Sequence, residues 1–119
     1  MFAGAVAPGD HVLVATEGDE MVAALRLVRE GGVLVLRGMR VAASHQRRGI
    51  GAALLDELVR RLGGEPCHCI AYDHLGGFYG RVGFRVLAPG LAPAFLAARL
   101  AEYQASRPER FRLLWRPGG

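Results

Sequence analysis

The strongest constraint in this sequence is an abrupt change of periodicity from a strand pattern to a helix pattern. The apolar run VLVLRGMRV (33–41) predicts a strand, and the segment beyond residue 49 predicts a helix. Between them lies QRRGIG (46–51), which places two arginines and two glycines at the transition. The helical spacing is carried by Ile50, Leu54, Leu58 and Leu62.

The QRRGIG segment predicts a binding site for an anion. A strand that enters a helix through a glycine turn exposes unpaired backbone N–H groups at the positive end of the helix dipole. Side chains of Gln46, Arg47 and Arg48 add donors, which suits a diphosphate. The segment is neither a Walker loop, which needs Gly-Lys-Ser/Thr, nor the dinucleotide motif, whose third glycine is missing. A plain surface turn is the alternative interpretation.

The remaining pattern predicts one α/β (α+β) domain over residues 1–119. Residues 11–28 predict a hairpin around the turn EGDE, and a third antiparallel strand follows Gly31-Gly32. Gly38 interrupts that strand and predicts a bulge or the close approach of a ligand. Further elements are expected as a strand at CHCIAY (67–72), a short helix closing on Gly83, a strand at 84–87, a helix at 93–105 and a strand at FRLLW (111–115).

Two motifs resemble those of the GCN5-related N-acetyltransferases (GNAT). VAASHQRRGIGAALL is similar to their Gln/Arg-x-x-Gly-x-Gly/Ala motif, which follows a strand ending in Leu-x-Val, here Met39-Arg40-Val41. Residues 78–84, FYGRVGF, resemble their aromatic-Tyr pair followed by Gly-Phe. The sequence resembles a short form of this family, because about ten residues precede His11 where relatives usually have a strand and two helices.

The resemblance implies a fold and an activity. The fold is a mixed, mostly antiparallel sheet with splayed central strands, flanked by helices, and acetyl-CoA lies in the gap as the acetyl donor. Tyr79 inherits the role of proton donor to the leaving CoA thiolate. Residues Met39, Arg40 and Val41 inherit the contact with pantetheine and the acetyl group. The resemblance assigns the contact with the pyrophosphate to Gln46, Arg47, Arg48, Gly49, Ile50, Gly51 and Ala52.

The resemblance leaves the general base open. Many relatives have a glutamate four residues before the Leu-x-Val leucine, and that position is Val35 here. His74 is the best single substitute, because an imidazole titrates near neutral pH. Asp73, Glu17, Asp19 and Glu20 are alternatives, and an amine of low pKa could also lose its proton to water without a protein base.

The expected acceptor is a primary amine on a small molecule or a protein, and its identity is open. A homodimer could complete the acceptor site where the usual covering helices are missing. The alternative function is a non-catalytic acyl-CoA-binding regulatory module, since the usual base is absent.

Composition and charge limit the kinds of partner that the protein is expected to bind. The formal charge is +4 and all fifteen cations are arginines, but they are scattered, so no nucleic-acid partner is expected. The apolar stretches are too short to cross a membrane, and no secretory signal is evident, which predicts a cytoplasmic protein. Cys67 and Cys69 flank His68 in a strand, so both sulfurs face away from the imidazole and no metal site is expected.

Overall fold

The computed structural model describes residues 2–7 and 10–118, and it describes side chains from residue 12 onward. These residues form a single sheet with helices on both faces. The strands are β1 (Phe2–Ala7), β2 (Asp10–Glu17), β3 (Glu20–Glu30), β4 (Val33–Val41), β5 (Cys67–Tyr72), β6 (Arg85–Val86) and β7 (Phe111–Arg116). The helices are α1 (Ile50–Leu62), α2 (Gly76–Gly80) and α3 (Ala94–Ser106), with short 3-10 turns at Ala43–His45, Asp73–Leu75 and Pro89–Leu91.

The sheet is mixed and mostly antiparallel, as predicted. Its described strands lie in the order β1-β2-β3-β4-β5-β7-β6, and only the β4–β5 pair is parallel. The parallel connection requires a crossover, which α1 provides. Strand β1 was not predicted from the sequence, because its small residues FAGAVA lack the alternation of a half-buried strand.

A bulge in β4 opens the centre of the sheet. Opposite β3, Arg26 pairs with Gly38 and Leu27 pairs with Leu36, so Arg37 is the extra residue. On the other edge of β4, pairing with β5 ends at Leu36. The bulge predicted at Gly38 is therefore confirmed, and residues 38–41 splay away from β5.

Alternation along β4 sends neighbouring side chains into two separate cores. Leu34 and Leu36 belong to the core beneath α1, whereas Val35 packs with Leu96 and Leu113 beneath α3. Helix α1 buries Leu54, Leu58 and Leu62 of the predicted line together with Leu55, whereas Ile50 is half-buried. This packing fixes where α1 begins relative to the end of β4.

The helix boundaries agree with the sequence except in the short tyrosine helix. Helix α1 ends at Gly63 (φ 59°), and α3 begins after Pro93, as expected. The segment predicted to run as a helix to Gly83 is split into a 3-10 turn and the five-residue α2, which ends at Gly80. Gly83 adopts φ 99° and turns the chain into β6.

The described part of the chain contains no helix long and apolar enough to span a bilayer.

His68 on β5 predicts a pH dependence of stability. The side chain is 8% exposed, and its Nδ1 atom has no hydrogen-bond partner in the described part of the chain. Burial lowers the pKa of His68 below 6.5, so the unfolded chain binds this proton more tightly. The free energy of unfolding should therefore fall as pH decreases below about 6.5, until the folded-state pKa is passed.

Urea titrations of the native chain and His68→Gln at several pH values test this assignment. The substitution removes the titrating group, so the free energy of unfolding of the variant should depend less on pH between about 6.5 and 5. The difference between the two curves isolates His68 from the other histidines. Parallel curves would contradict the assignment.

Candidate active site

The QRRGIG segment forms an open loop at the start of α1. Gly49 precedes the helix with φ 78°, and its carbonyl accepts the first helical hydrogen bond, from the Ala53 amide at 3.0 Å. No side chain caps the helix, so the amides of its first turn remain available to a ligand. Arg47 also adopts a left-handed conformation (φ 66°), which is uncommon for a residue with a side chain. The backbone amides of this turn are therefore accessible to a ligand.

Two side-chain contacts hold this loop against the sheet. The Gln46 side-chain amide donates to the Val41 carbonyl at 3.2 Å. His45 is buried, with Nε2 3.2 Å from the Glu17 carboxylate and Nδ1 2.8 Å from the Ser44 hydroxyl. The loop is therefore tied both to the end of β4 and to the turn between β2 and β3. This placement puts the Glu17 carboxylate beside the QRRGIG segment.

A cavity of about 570 Å³ lies between this loop, the end of β4 and α2. Its size and its apolar walls with a few polar groups are typical of a site for a small molecule or cofactor. It brings together most of the residues that the resemblance assigned to acetyl-CoA. Those lining it are Met39, Val41, Gln46, Arg47, Gly49, Ile50, Gly51 and Ala52.

Two of the assigned residues do not line this cavity. Arg40 lies on the opposite side of β4 and faces a second cavity. Arg48 points toward the β2–β3 turn, where its Nη1 atom is 3.9 Å from the Glu17 carboxylate. The direction of Arg40 follows from alternation along β4, whereas that of Arg48 follows the left-handed turn at Arg47.

The structure adds four lining residues that were not assigned from the sequence: His45, Leu75, Phe78 and Arg81. Phe78 lay within the second motif but carried no assigned role. Arg81 is exposed and places a cation across the cavity from the glycine loop. Its place in the cavity depends on how the segment around α2 packs near α1, so no local sequence pattern predicts it.

Tyr79 is held rigidly in α2 and lines the same cavity. It is 6% exposed and makes edge-to-face contacts with Phe78 (centroids 5.1 Å apart) and Phe84 (5.8 Å). Burial raises the pKa of Tyr79 well above its ordinary value, and the neighbouring Cys69 acts in the same direction. The phenol is therefore protonated at neutral pH and can act as a donor.

A second cavity of about 250 Å³ lies on the other side of the splayed strands. Its walls come from the bulged part of β4, from β5 and from the C-terminal end of α3. Gly38 lines it, and a Cβ atom at this glycine would meet nothing within 4 Å. Three residues line both cavities: Met39, Leu75 and Tyr79. The cavities therefore meet at the predicted proton donor.

His74, the predicted base, does not line either cavity. Its exposed ring stacks on Tyr72, with centroids 5.6 Å apart, and Tyr72 lines the second cavity. Val35 is 2% exposed beneath α3, so the position of the usual glutamate has become part of the core.

The cysteines are buried thiols without a metal-binding cluster. Among the described residues no group of His, Cys, Asp or Glu could hold a metal ion. Cys67 and Cys69 are both reduced and buried, and burial raises the pKa of the Cys67 thiol to about 12. Neither thiol is a reactive nucleophile in this environment.

Comparison with family models identifies the family to which this chain belongs. A family model for the acetyltransferase (GNAT) domain matches residues 8–86, and the chain belongs to this family. The resemblance deduced from the two motifs is thereby confirmed. No curated protein matches the sequence.

Solved structures share this fold. The chain is similar to the ribosomal-protein-S18-alanine N-acetyltransferase of Escherichia coli, with a TM-score of 0.72, 18% identity, and coverage of 96% of this chain and 72% of that one. It is also similar to a GNAT acetyltransferase of Elizabethkingia anophelis with acetyl-CoA bound (TM-score 0.68, 16% identity, 92% and 77% covered). A third is the structure of histone acetyltransferase HPA2 and related acetyltransferase from Corynebacterium glutamicum, with a TM-score of 0.70 and 19% identity. The match covers 93% of this chain and 66% of that one.

Gly51 provides a test of the cofactor cavity. A Cβ atom there would lie 3.5 Å from Phe78 and Val41, which is an ordinary contact, so Gly51→Ala should keep acetyl-CoA affinity within about 3-fold. Gly51→Val adds branches at the mouth of the loop and should weaken binding by about 2 kcal/mol, or about 30-fold. Isothermal titration measures both variants, and circular dichroism confirms that they fold. A folded Gly51→Val with native affinity would show that the loop is only a turn.

Arg47 and Arg48 should contribute unequally to cofactor binding. Arg47 lines the cavity, so Arg47→Gln should weaken acetyl-CoA binding about 5-fold, and the loss should shrink at high salt because an exposed charge is screened. Arg48→Gln should cost less than about 2-fold. Titrations at low and high ionic strength distinguish the two. An equal loss at Arg48 would show that the loop rearranges around the ligand.

Proposed function

We propose that this protein transfers an acetyl group from acetyl-CoA directly to the primary amine of an acceptor. The observation that carries the proposal is the junction of two cavities at Met39, Leu75 and Tyr79. One cavity ends at an anion-binding loop and the other opens on the opposite side of β4. Two substrates that enter from opposite sides would meet at this junction, as direct transfer requires.

The residues of the larger cavity fit the parts of acetyl-CoA. The loop amides and the Arg47 and Arg81 guanidiniums suit the phosphates, whereas Met39, Val41 and Phe78 provide apolar walls for the pantetheine arm. Past Leu36, β4 is no longer paired with β5, so its backbone can pair with an extended ligand. When bound, acetyl-CoA supplies an activated acyl group as a thioester.

Tyr79 is suited to protonate the leaving sulfur. Its raised pKa keeps the phenol protonated, so it can donate to a thiolate that develops at the junction. Burial raises the pKa of the neighbouring Cys69 thiol as well, so this region disfavours a thiolate and favours its protonation.

The described residues that line the acceptor cavity include no carboxylate and no histidine. We therefore infer that the acceptor amine loses its proton to water. The alternative is His74, whose ring stacks on Tyr72 of the cavity wall and would act as a base at the cavity entrance.

Tyr79→Phe tests catalysis separately from binding. Phenylalanine keeps the aromatic contacts of Tyr79, so acetyl-CoA affinity should remain within about 2-fold. Loss of the proton donor should lower kcat for CoA release by about 10-fold or more. The measurement needs an amine panel, a thiol assay for CoA and a titration with acetyl-CoA.

The same variant separates the enzyme from its alternative, an acyl-CoA-binding regulatory module. That alternative is motivated by the missing glutamate at Val35, and it predicts binding of acetyl-CoA with no turnover of any amine. Turnover by the native chain that is lost in Tyr79→Phe would exclude it. Failure of the native chain to bind acetyl-CoA at about 100 µM would exclude both functions.

A further inference from the structure

The charged side chains that line the smaller cavity all have the same sign. They are Arg37 and Arg40 of β4 and the distant Arg107 after α3, and no carboxylate lines the cavity among the described residues. An acceptor that enters this cavity therefore meets three guanidiniums. This arrangement opposes a cationic ligand and favours an anionic one.

Arg107 is the most available of the three. Its guanidinium lies over the Tyr103 ring, 4.1 Å from the centroid, and 5.7 Å from the centroid of Phe111. Stacking occupies the face of the guanidinium and leaves the N–H donors on its edge free for a bidentate oxyanion. Within the described residues Arg107 makes no ion pair.

Internal carboxylates do not neutralise the other two arginines. Arg37 contacts the Glu30 carboxylate at 3.1 Å, but Glu30 also holds Arg99 at 2.6 Å, so one carboxylate serves two guanidiniums. Arg40 makes no ion pair among the described residues. The cavity wall therefore keeps a net positive charge.

We propose that the acceptor is a small amino carboxylate, whose oxyanion binds Arg107 while its amine reaches Met39 and Tyr79. This inference rests on the proposed acetyltransferase function and specifies its substrate. A volume of about 250 Å³ is at the lower end of ligand pockets, which favours a small molecule over a peptide. The rings of Tyr72, Tyr103 and Phe111 form an apolar wall for the body of such an acceptor.

The same charges assist the chemistry in the absence of a protein base. Nearby guanidiniums lower the pKa of an ammonium group, so the bound amine is more readily neutral. Its nitrogen then forms a bond to the acetyl carbon, the carbon–sulfur bond breaks, and the sulfur takes the Tyr79 proton. Water accepts the surplus proton of the amine and restores that of Tyr79. A polyamine would lack the oxyanion contact and would be repelled.

Matched acceptor pairs test the role of the oxyanion. L-phenylalanine against phenethylamine, and L-leucine against 3-methylbutylamine, differ only by the carboxylate. We expect kcat/KM at least about 10-fold higher for the amino acid of each pair, with spermidine poorest. Phosphoethanolamine distinguishes phosphate from carboxylate as the preferred oxyanion. Better acetylation of the decarboxylated amines, of spermidine or of a peptide N-terminus would overturn the inference.

Variants of Arg107 localise the contact. Arg107→Gln should raise KM for the amino acid by about 10-fold or more, with kcat and acetyl-CoA affinity nearly unchanged. Arg107→Glu should shift the preference toward the decarboxylated amine. Arg85→Gln is the matched control, because Arg85 is an exposed arginine that lines neither cavity. Equal effects at both positions would overturn the inference.

A binding measurement keeps the test independent of turnover. Isothermal titration with N-acetyl-L-phenylalanine, with and without CoA, should show binding that is lost in Arg107→Gln and retained in Arg85→Gln. Equal binding by both variants, or no binding by the native chain, would overturn the acceptor inference. In contrast, failure to bind acetyl-CoA or to release CoA with any amine would count against the proposed function itself.

Discussion

The bulge in β4 is the feature on which both cavities depend. The extra residue, Arg37, shifts the register against β3, and pairing with β5 stops at Leu36. A continuous parallel ladder would satisfy the backbone of residues 38–41 and leave no gap between the strands. The bulge instead leaves a strand edge in the middle of the sheet, where it is protected from aggregation by helices on both faces. The two cavities lie beside this gap and share Met39, Leu75 and Tyr79 as lining residues.

Separate cores on the two faces keep this gap rigid. The core beneath α1 fixes the start of that helix, and thereby the glycine loop, against the end of β4. The core beneath α3 fixes Tyr103 and Arg107 at the other cavity. Because Leu34, Val35 and Leu36 alternate between the cores, a single strand positions both cavities. The cost is that Val35 occupies the place where many relatives carry a glutamate.

Local sequence signals were sufficient to predict α1, the glycine loop before it and the bulge in β4. The periodicity of α1, the glycine loop and the isolated Gly38 each depend on short-range backbone preferences, and all three predictions are confirmed. Strand β1 and the early end of α2 were missed, because small residues and tertiary contacts override weak local patterns there. The assigned roles of Tyr79, His74 and the loop residues remain predictions.

The sequence by itself determined the family, the order of the elements from β2 onward and the position of the glycine loop, because contiguous residues carry these features. Only the tertiary structure decided which side chains share a cavity. It keeps the side chains of Arg40 and Arg48 out of the larger cavity, adds Arg81 to its lining, and leaves His74 outside both cavities. Arg107 joins Arg37 and Arg40 of β4 at the smaller cavity, since strand alternation and the docking of α3 set their directions. Such convergence depends on long-range packing, which no local pattern of residues records.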